Sequence, residues 1–161
     1  DGIGSWVLGG WELQGIMSLM SGEPFTITAP GSSLNAPGNE QRANVVGTPT
    51  TTGEIAGPGG TATFFTTDAF ARPAQNTFGN GGRNTVEGPG FGNLDFSVFR
   101  RFPAAFINET ADFTLRMETF NFTNTPHFNN PNGDVSNGNF GRVTSARDDA
   151  RQFQFALTLR F

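Results

Sequence analysis

The chain of 161 residues has the length of one domain, but its hydrophobic content of 35% is low for a large dry core. Its net charge of −4 and pI near 4.8 argue against a nucleic-acid partner, because no basic patch offers phosphates a counterion-releasing surface. The absence of cysteine excludes a disulfide scaffold and a thiolate zinc site. Abundant Gly, Pro, Asn and Thr predict an all-β, antiparallel fold with about four long strands and long loops.

The first strand is predicted near residues 10–28, with an interruption at Glu23-Pro24 before a short β-like stretch at 25–28. Large apolar side chains take alternate positions at its start, namely Trp11, Leu13, Met17 and Leu19. Residues 29–90 form a long loop rich in Gly, Pro, Asn and Thr, and such a loop is unusual in a compact soluble domain. We expect its aromatic residues to fold it onto itself: Phe64, Phe65, Phe70 and Phe78.

Two further strands are predicted near 91–102 and 112–122, joined by a short connection at 103–109. Each strand has alternating apolar residues, which are Leu94, Phe96 and Val98 in the first and Phe113, Leu115 and Met117 in the second. The short connection predicts antiparallel pairing of the two strands. A second long loop is predicted at 123–150.

The last strand, 151–161, has the strictest period of two in the chain. Its apolar side consists of Phe153, Phe155, Leu157, Leu159 and Phe161, and its polar side includes Gln152 and Gln154. A strand of about 9–11 residues is long enough to cross a bilayer at a tilt. The terminal Phe161 resembles the carboxy-terminal signal of bacterial outer-membrane barrels. The alternative is the final strand of a soluble β-sandwich.

The polar sides of the middle strands carry charge. Arg116 and Glu118 lie two residues apart, with Asp95 and Arg101 on the neighbouring strand. Two interpretations follow: these side chains line a polar lumen, or they form a cross-strand ion-pair ladder, which we favour.

Nothing in the sequence forms a catalytic motif, and we expect no enzyme activity. His127, the only histidine, has no Ser, Asp or second His at motif spacing, so a structural role is predicted. A loop calcium site is the remaining metal candidate, although its spacing matches no EF-hand. Its oxygen ligands would come from Asp134, Asn137, Asn139, Asp148 and Asp149. We otherwise predict no cofactor.

No run of 18 or more apolar residues occurs, so a helical membrane span is excluded. The start at Asp1 has no Met and no targeting segment. We therefore expect an interior cut, with any export signal upstream.

A series of short segments resembles the carboxy-terminal part of TonB-dependent outer-membrane receptors of the Oar-like group, which carries a carboxypeptidase-regulatory-like domain. The segments are Gly10-Trp11-Glu12-Leu13-Gln14-Gly15, 21–25, 78–80, 82–84, 88–90, 93–97, 116–124, 127–128 and 140–142. The resemblance implies a barrel of about 22 strands closed around a plug, and energised uptake of large nutrients. It also implies the bacterial outer membrane or the cell exterior as location. The lack of Tyr departs from the aromatic girdles expected of such barrels.

About four strands cannot close a barrel, so their edges need partners. Three hypotheses follow. The chain is a barrel segment whose apolar faces meet lipid and whose edges meet the rest of the receptor. Alternatively, copies pair edge to edge in an extracellular β-rich filament, or the chain is a soluble β-sandwich that binds a ligand through its loops.

Overall fold

A computed structural model describes residues 8–30, 41–57 and 59–161. Within these ranges the chain is all-β, with one 3-10 turn at Thr67–Ala69. The strands of the described residues are β1 (Trp11–Met20), β2 (Pro24–Phe25), β3 (Asn44–Val45), β4 (Phe70–Ala71), β5 (Val86–Glu87), β6 (Phe91–Pro103), β7 (Asp112–Phe120) and β8 (Gln152–Arg160). No helix in these ranges has the length and hydrophobicity that a membrane-spanning helix requires.

The four long strands form one sheet in the order β1-β6-β7-β8. The pairing β6–β7 is antiparallel, as the short connection between these two strands predicts, and the pairing β7–β8 is antiparallel as well. That connection is closed by backbone hydrogen bonds: the N–H of Ala104 donates to the carbonyl of Ala111 (2.8 Å), and the N–H of Ile107 to that of Ala104 (2.8 Å). A tight reversal of this kind fixes the register of the strands that it joins.

The first strand is shorter than the range 10–28 predicted from the sequence. β1 ends at Met20, and β2 pairs instead with β5 in a separate two-stranded sheet. The break falls at Gly22, where an added Cβ would lie 1.9 Å from the carbonyl oxygen of Gly88. Two backbones therefore meet where a strand with side chains could not pass.

The predicted loops 29–90 and 123–150 contain ordered structure in their described parts. They include the pairs β2–β5 and β3–β4 and a buried core of Ile27, Ala29, Ala43, Phe64, Phe65, Ala69, Phe70, Val86 and Val143. Phe65 stands at the centre, with ring centroids 5.8 Å from Phe70 and 5.4 Å from Phe140 in edge-to-face geometry. The prediction was wrong for Phe78, which is 81% exposed.

Polar side chains rather than apolar packing hold the turn around Phe78. The amide of Gln41 donates to the Thr77 carbonyl, and the Asn80 side chain accepts from the N–H of Val45. These bonds fix the backbone and leave the ring outside. Residues 31–40 and 58 of the predicted loop lie outside the described residues, as does Asp1.

Contacts divide the chain into two compact units. The sheet unit comprises the described residues of 1–19, 92–126 and 149–161, and the loop unit those of 20–91 and 127–148. The sequence predicts one β-rich segment over 1–161, and the described parts of both units contain β-strands. The loop unit has its own hydrophobic core.

Candidate functional site

The candidate site is the four-stranded sheet, whose register sorts side chains onto two faces. Successive residues of a strand point to opposite faces, so paired residues and their neighbours two positions away share a face. The apolar face contains four rows across β6, β7 and β8: Phe96, Thr119 and Phe153; Val98, Met117 and Phe155; Arg100, Leu115 and Leu157; Phe102, Phe113 and Leu159. The predicted apolar residues of the three strands are therefore brought together.

Two predicted members lie beyond these rows. Leu94 belongs to the same side of β6, and its Cδ1 would lie 3.9 Å from a Cβ added at Gly15 of β1. Phe161 follows the last residue of β8 and is exposed.

The apolar face leaves large side chains uncovered. Phe155 is 70% exposed and Leu157 is 71% exposed, although both stand in the middle of β8. Contiguous exposed apolar surface of this kind marks contact with a membrane or with another protein.

One end of the apolar face carries an aromatic and arginine cluster that the sequence reasoning missed. The rings of Phe102 and Phe113 are stacked at 4.8 Å, and Trp11 meets Phe102 edge-on at 6.4 Å. The Cζ of Arg100 lies 4.5 Å from the Phe102 ring centre, within cation–π range. The signal was available, because period-two counting from Val98 places Arg100 and Phe102 on the apolar side.

The polar face bears a groove of about 390 Å³. Its lining is mostly polar and charged: Glu12, Phe99, Arg101, Thr114, Arg116, Glu118, Gln154, Ala156, Thr158 and Arg160. The register puts Gln154 beside Glu118, and Gln152 beside Phe120. The predicted polar residues of β7 and β8 thus share this face.

The predicted cross-strand ion-pair ladder is present only in part. Arg101 of β6 pairs across to Asp112 of β7 at 3.8 Å, whereas Arg116 pairs with Glu118 on its own strand at 3.4 Å. Asp95 serves another purpose: its Oδ1 accepts the backbone N–H of Asn121 and the side-chain amide of Asn93, both at 2.9 Å. Asp95 therefore stabilises the end of β7 rather than a charge ladder.

Asn121 makes the turn after β7. Its φ of 51° is left-handed, a conformation that Asn tolerates better than most residues. Its side-chain amide donates to the Thr125 carbonyl (2.9 Å) and its Oδ1 accepts the Thr125 N–H (3.0 Å). The turn is thus closed by the Asn121 side chain together with a backbone bond from the Asn124 N–H to the Asn121 carbonyl (2.9 Å).

His127 lies buried in the loop unit. Its ring centre is 4.2 Å from that of Phe91, and its Nδ1 is 3.4 Å from a carboxylate oxygen of Asp148. These contacts attach the residue to its surroundings, in keeping with the structural role that the sequence indicates.

The calcium candidates have separate local partners. Asp134 accepts from the backbone and hydroxyl of Ser136, Asn137 accepts from the N–H of Asn139, and Asp149 accepts from Gln152. No group of three or more His, Asp or Glu side chains that could hold a metal occurs in the part of the chain that the structure describes.

Comparison with known proteins gives a family. The family model described as an outer membrane beta barrel domain matches residues 1–154. No curated protein and no solved structure matches the chain.

Proposed function

The chain belongs to the outer-membrane β-barrel domain family, and on that premise we propose that it is the carboxy-terminal barrel segment of a TonB-dependent receptor. The family places it in the bacterial outer membrane as part of a β-barrel protein. As part of such a receptor, the chain would take part in the energised uptake of a large nutrient. We propose no enzyme activity for it. The receptor assignment is supported by the series of receptor-like segments from Gly10 to Arg142.

The observation that carries the proposal is the two-faced sheet. Rows of Phe, Leu, Val and Met occupy one face, and charged and amide side chains occupy the other. Barrel strands that cross a membrane alternate between lipid-facing apolar residues and lumen-facing polar residues. On this proposal the apolar face meets lipid and the polar groove faces the lumen.

Strand length is consistent with that placement. β7 and β8 have 9 residues each and β6 has 13. A tilted membrane strand needs about 9–11 residues, because the hydrocarbon layer is about 30 Å thick. Each strand is long enough to span it.

The two open edges of the sheet indicate which partners the chain needs. β1 and β8 are the outer strands of the sheet among the described residues, and each has one edge without a neighbouring strand. In hydrocarbon an open edge leaves backbone groups without hydrogen bonds, at a cost of several kcal/mol for each group. We propose that further strands of the same receptor pair with both edges.

The first experiment asks in what state the native protein occurs. An antibody against this sequence is used to isolate it from outer membranes. We expect a much larger polypeptide that requires detergent, shifts in gel mobility on heating, and can be cross-linked to TonB in whole cells. Detergent-free filaments with a subunit of 17.2 kDa, seen by negative-stain electron microscopy, would instead establish the structural polymer.

The second experiment tests whether the apolar face of the sheet meets lipid and the polar face meets water. This chain has no cysteine, so in a receptor whose other cysteines, where present, are replaced, Leu157→Cys and Thr158→Cys each introduce a single nitroxide label, on opposite faces of β8. In proteoliposomes of the full receptor we expect oxygen, which concentrates in lipid, to relax only the label at 157. A water-soluble nickel chelate should reach the label at 158 more readily. Equal accessibility at the two positions would reject the lipid and lumen assignment.

A further inference from the structure

The loop unit contains an open cavity of about 460 Å³, lined by residues of the segments 55–60 and 139–146 and by Phe128. Pockets that hold small ligands have volumes of about 300–1,000 Å³ and combine apolar walls with a few polar groups. The apolar wall here includes Ile55, Phe128, Val143 and Ala146. Arg142 and Asn139 supply polar side chains.

Among the described residues that line this cavity, Arg142 is the only charged one. Its backbone is fixed, because its N–H donates to the Asn139 carbonyl and its carbonyl accepts from the Asn132 N–H, both at 2.9 Å. Within residues 8–30, 41–57 and 59–161, its guanidinium has no ion pair or hydrogen bond, whereas Arg147 of the same unit pairs with Glu23 at 3.6 Å. A guanidinium beside an apolar wall favours an anionic ligand group, above all a carboxylate.

The backbone along the cavity offers further bonds. Val143 and Thr144 make no backbone hydrogen bond to another described residue, although the next carbonyl, that of Ser145, accepts from the Asn129 N–H at 3.1 Å. Amide and carbonyl groups without a partner at two successive residues suit the backbone of a peptide laid beside them.

We propose that this cavity binds the end of a short peptide, with its terminal carboxylate on Arg142 and its last, apolar side chain against Phe128 and Val143. An inorganic anion would leave the apolar wall unused, and a neutral apolar molecule would leave the guanidinium desolvated without a counter-charge. The inference deepens the proposed receptor function and rests on it for the site's exposure at the cell surface. Binding itself does not depend on uptake.

The experiment compares two probes that differ only in charge. N-acetyl-Val-Phe with a free carboxylate and its terminal amide are titrated by calorimetry into the full receptor in detergent. We expect saturable binding of the acid. Binding of the amide should be weaker by about tenfold or more, since a charge-assisted hydrogen bond contributes about 1.5–3 kcal/mol.

Variants locate the site. Arg142→Gln should weaken binding of the acid by about tenfold or more and remove the preference for acid over amide. Ala146→Trp should fill the cavity and weaken both probes. The matched control is Arg83→Gln, which changes an exposed arginine of the same unit outside the cavity lining and should bind as the unaltered protein does.

Three results would overturn the site: equal binding of acid and amide, an unchanged affinity in Arg142→Gln, or no saturable binding by a sample with intact β-sheet circular dichroism. These results are separable from failure of the receptor assignment. If the chain forms detergent-free filaments yet binds the acid, the peptide site stands and the receptor assignment is wrong. If the protein is a detergent-dependent receptor that binds neither probe, the receptor assignment stands and the peptide site is wrong.

Discussion

The loop unit buries a core of large apolar residues, whereas the sheet unit leaves several of its own exposed. Phe65 of the loop unit is 0% exposed, but Phe155 and Leu157 of the sheet unit are 70% and 71% exposed. The loop unit can therefore stabilise itself with its own core. The sheet unit needs something outside itself to cover its apolar face, and on our proposal that cover is lipid.

The contrast has a simple origin in the sequence. The sheet strands alternate apolar and polar residues, so an isolated sheet has one face with nothing to pack against. The loop segments have scattered apolar residues such as Ile27, Phe65 and Val143, which tight turns bring together. Regular alternation makes a surface, and irregular spacing with turns makes a core.

Phe65→Ala should have the largest effect on stability and should be confined to the loop unit. Removing a fully buried Phe costs about 3–5 kcal/mol, because a cavity replaces the ring contacts with Phe70 and Phe140. Proteolysis and hydrogen exchange by mass spectrometry should show opening of 20–91 and 127–148. The matched variant Phe78→Ala removes an exposed ring and should leave proteolysis and hydrogen exchange unchanged. If the two variants destabilised the loop unit equally, the loop unit would not depend on a buried core as we describe.

Leu157→Arg tests the exposed face. A charge at the lipid-facing midplane of a barrel costs about 2–4 kcal/mol, so folding into bilayers should be weakened by that amount in denaturant titrations. Thr158→Arg, one residue further on the polar face, should cost less than about 1 kcal/mol. A larger loss at 158 than at 157 would mean that the two faces have been assigned in reverse.

Asn121→Ala should destabilise the sheet unit at the end of β7 by about 1–3 kcal/mol. The change removes both side-chain bonds to Thr125 and places Ala at a φ of 51°. Asn121→Gly should recover the part of the loss due to backbone conformation, because Gly adopts this φ freely. Identical stabilities of the two variants in denaturant titrations would assign the whole effect to the lost hydrogen bonds.

Arg116→Gln should have the smallest effect, about 0–1 kcal/mol. The ion pair with Glu118 joins neighbours on one strand and is partly exposed, and such pairs contribute little. Thermal unfolding at low and high salt measures the contribution of this ion pair to stability. Arg101→Gln is the control, because it removes the other ion pair, with Asp112. A loss above about 2 kcal/mol would show that the polar groove is drier than its lining suggests.

The sheet could be predicted from sequence because its information is local. β8 follows from strict alternation over residues 152–160, and the β6–β7 pairing follows from a short connection. The two faces follow from counting by two. The partner of Arg116 could not be predicted, because the choice between Glu118 and a cross-strand partner depends on side-chain geometry rather than on spacing.

The loop unit could not be predicted in the same way. β2 and β5 are each two residues long and lie more than 60 positions apart in the sequence. Strands this short show no periodic pattern from which they could be predicted. The pairing depends on the close backbone approach of Gly22 and Gly88. The cavity beside Arg142 depends likewise on residues brought together from distant turns. Aromatic content indicated that the loop folds onto itself, but not that Phe78 would stay outside.

The aromatic cluster at the end of the apolar face has an optical consequence. The chain has two tryptophans and no tyrosine, and Trp11 lies on this face, 40% exposed and edge-on to Phe102. An indole's emission moves to shorter wavelength as its surroundings lose polarity and mobile water. In a Trp6→Phe variant, where Trp11 is the remaining indole of the chain, its fluorescence therefore reports, without any added label, whether water, lipid or protein covers this side of the sheet.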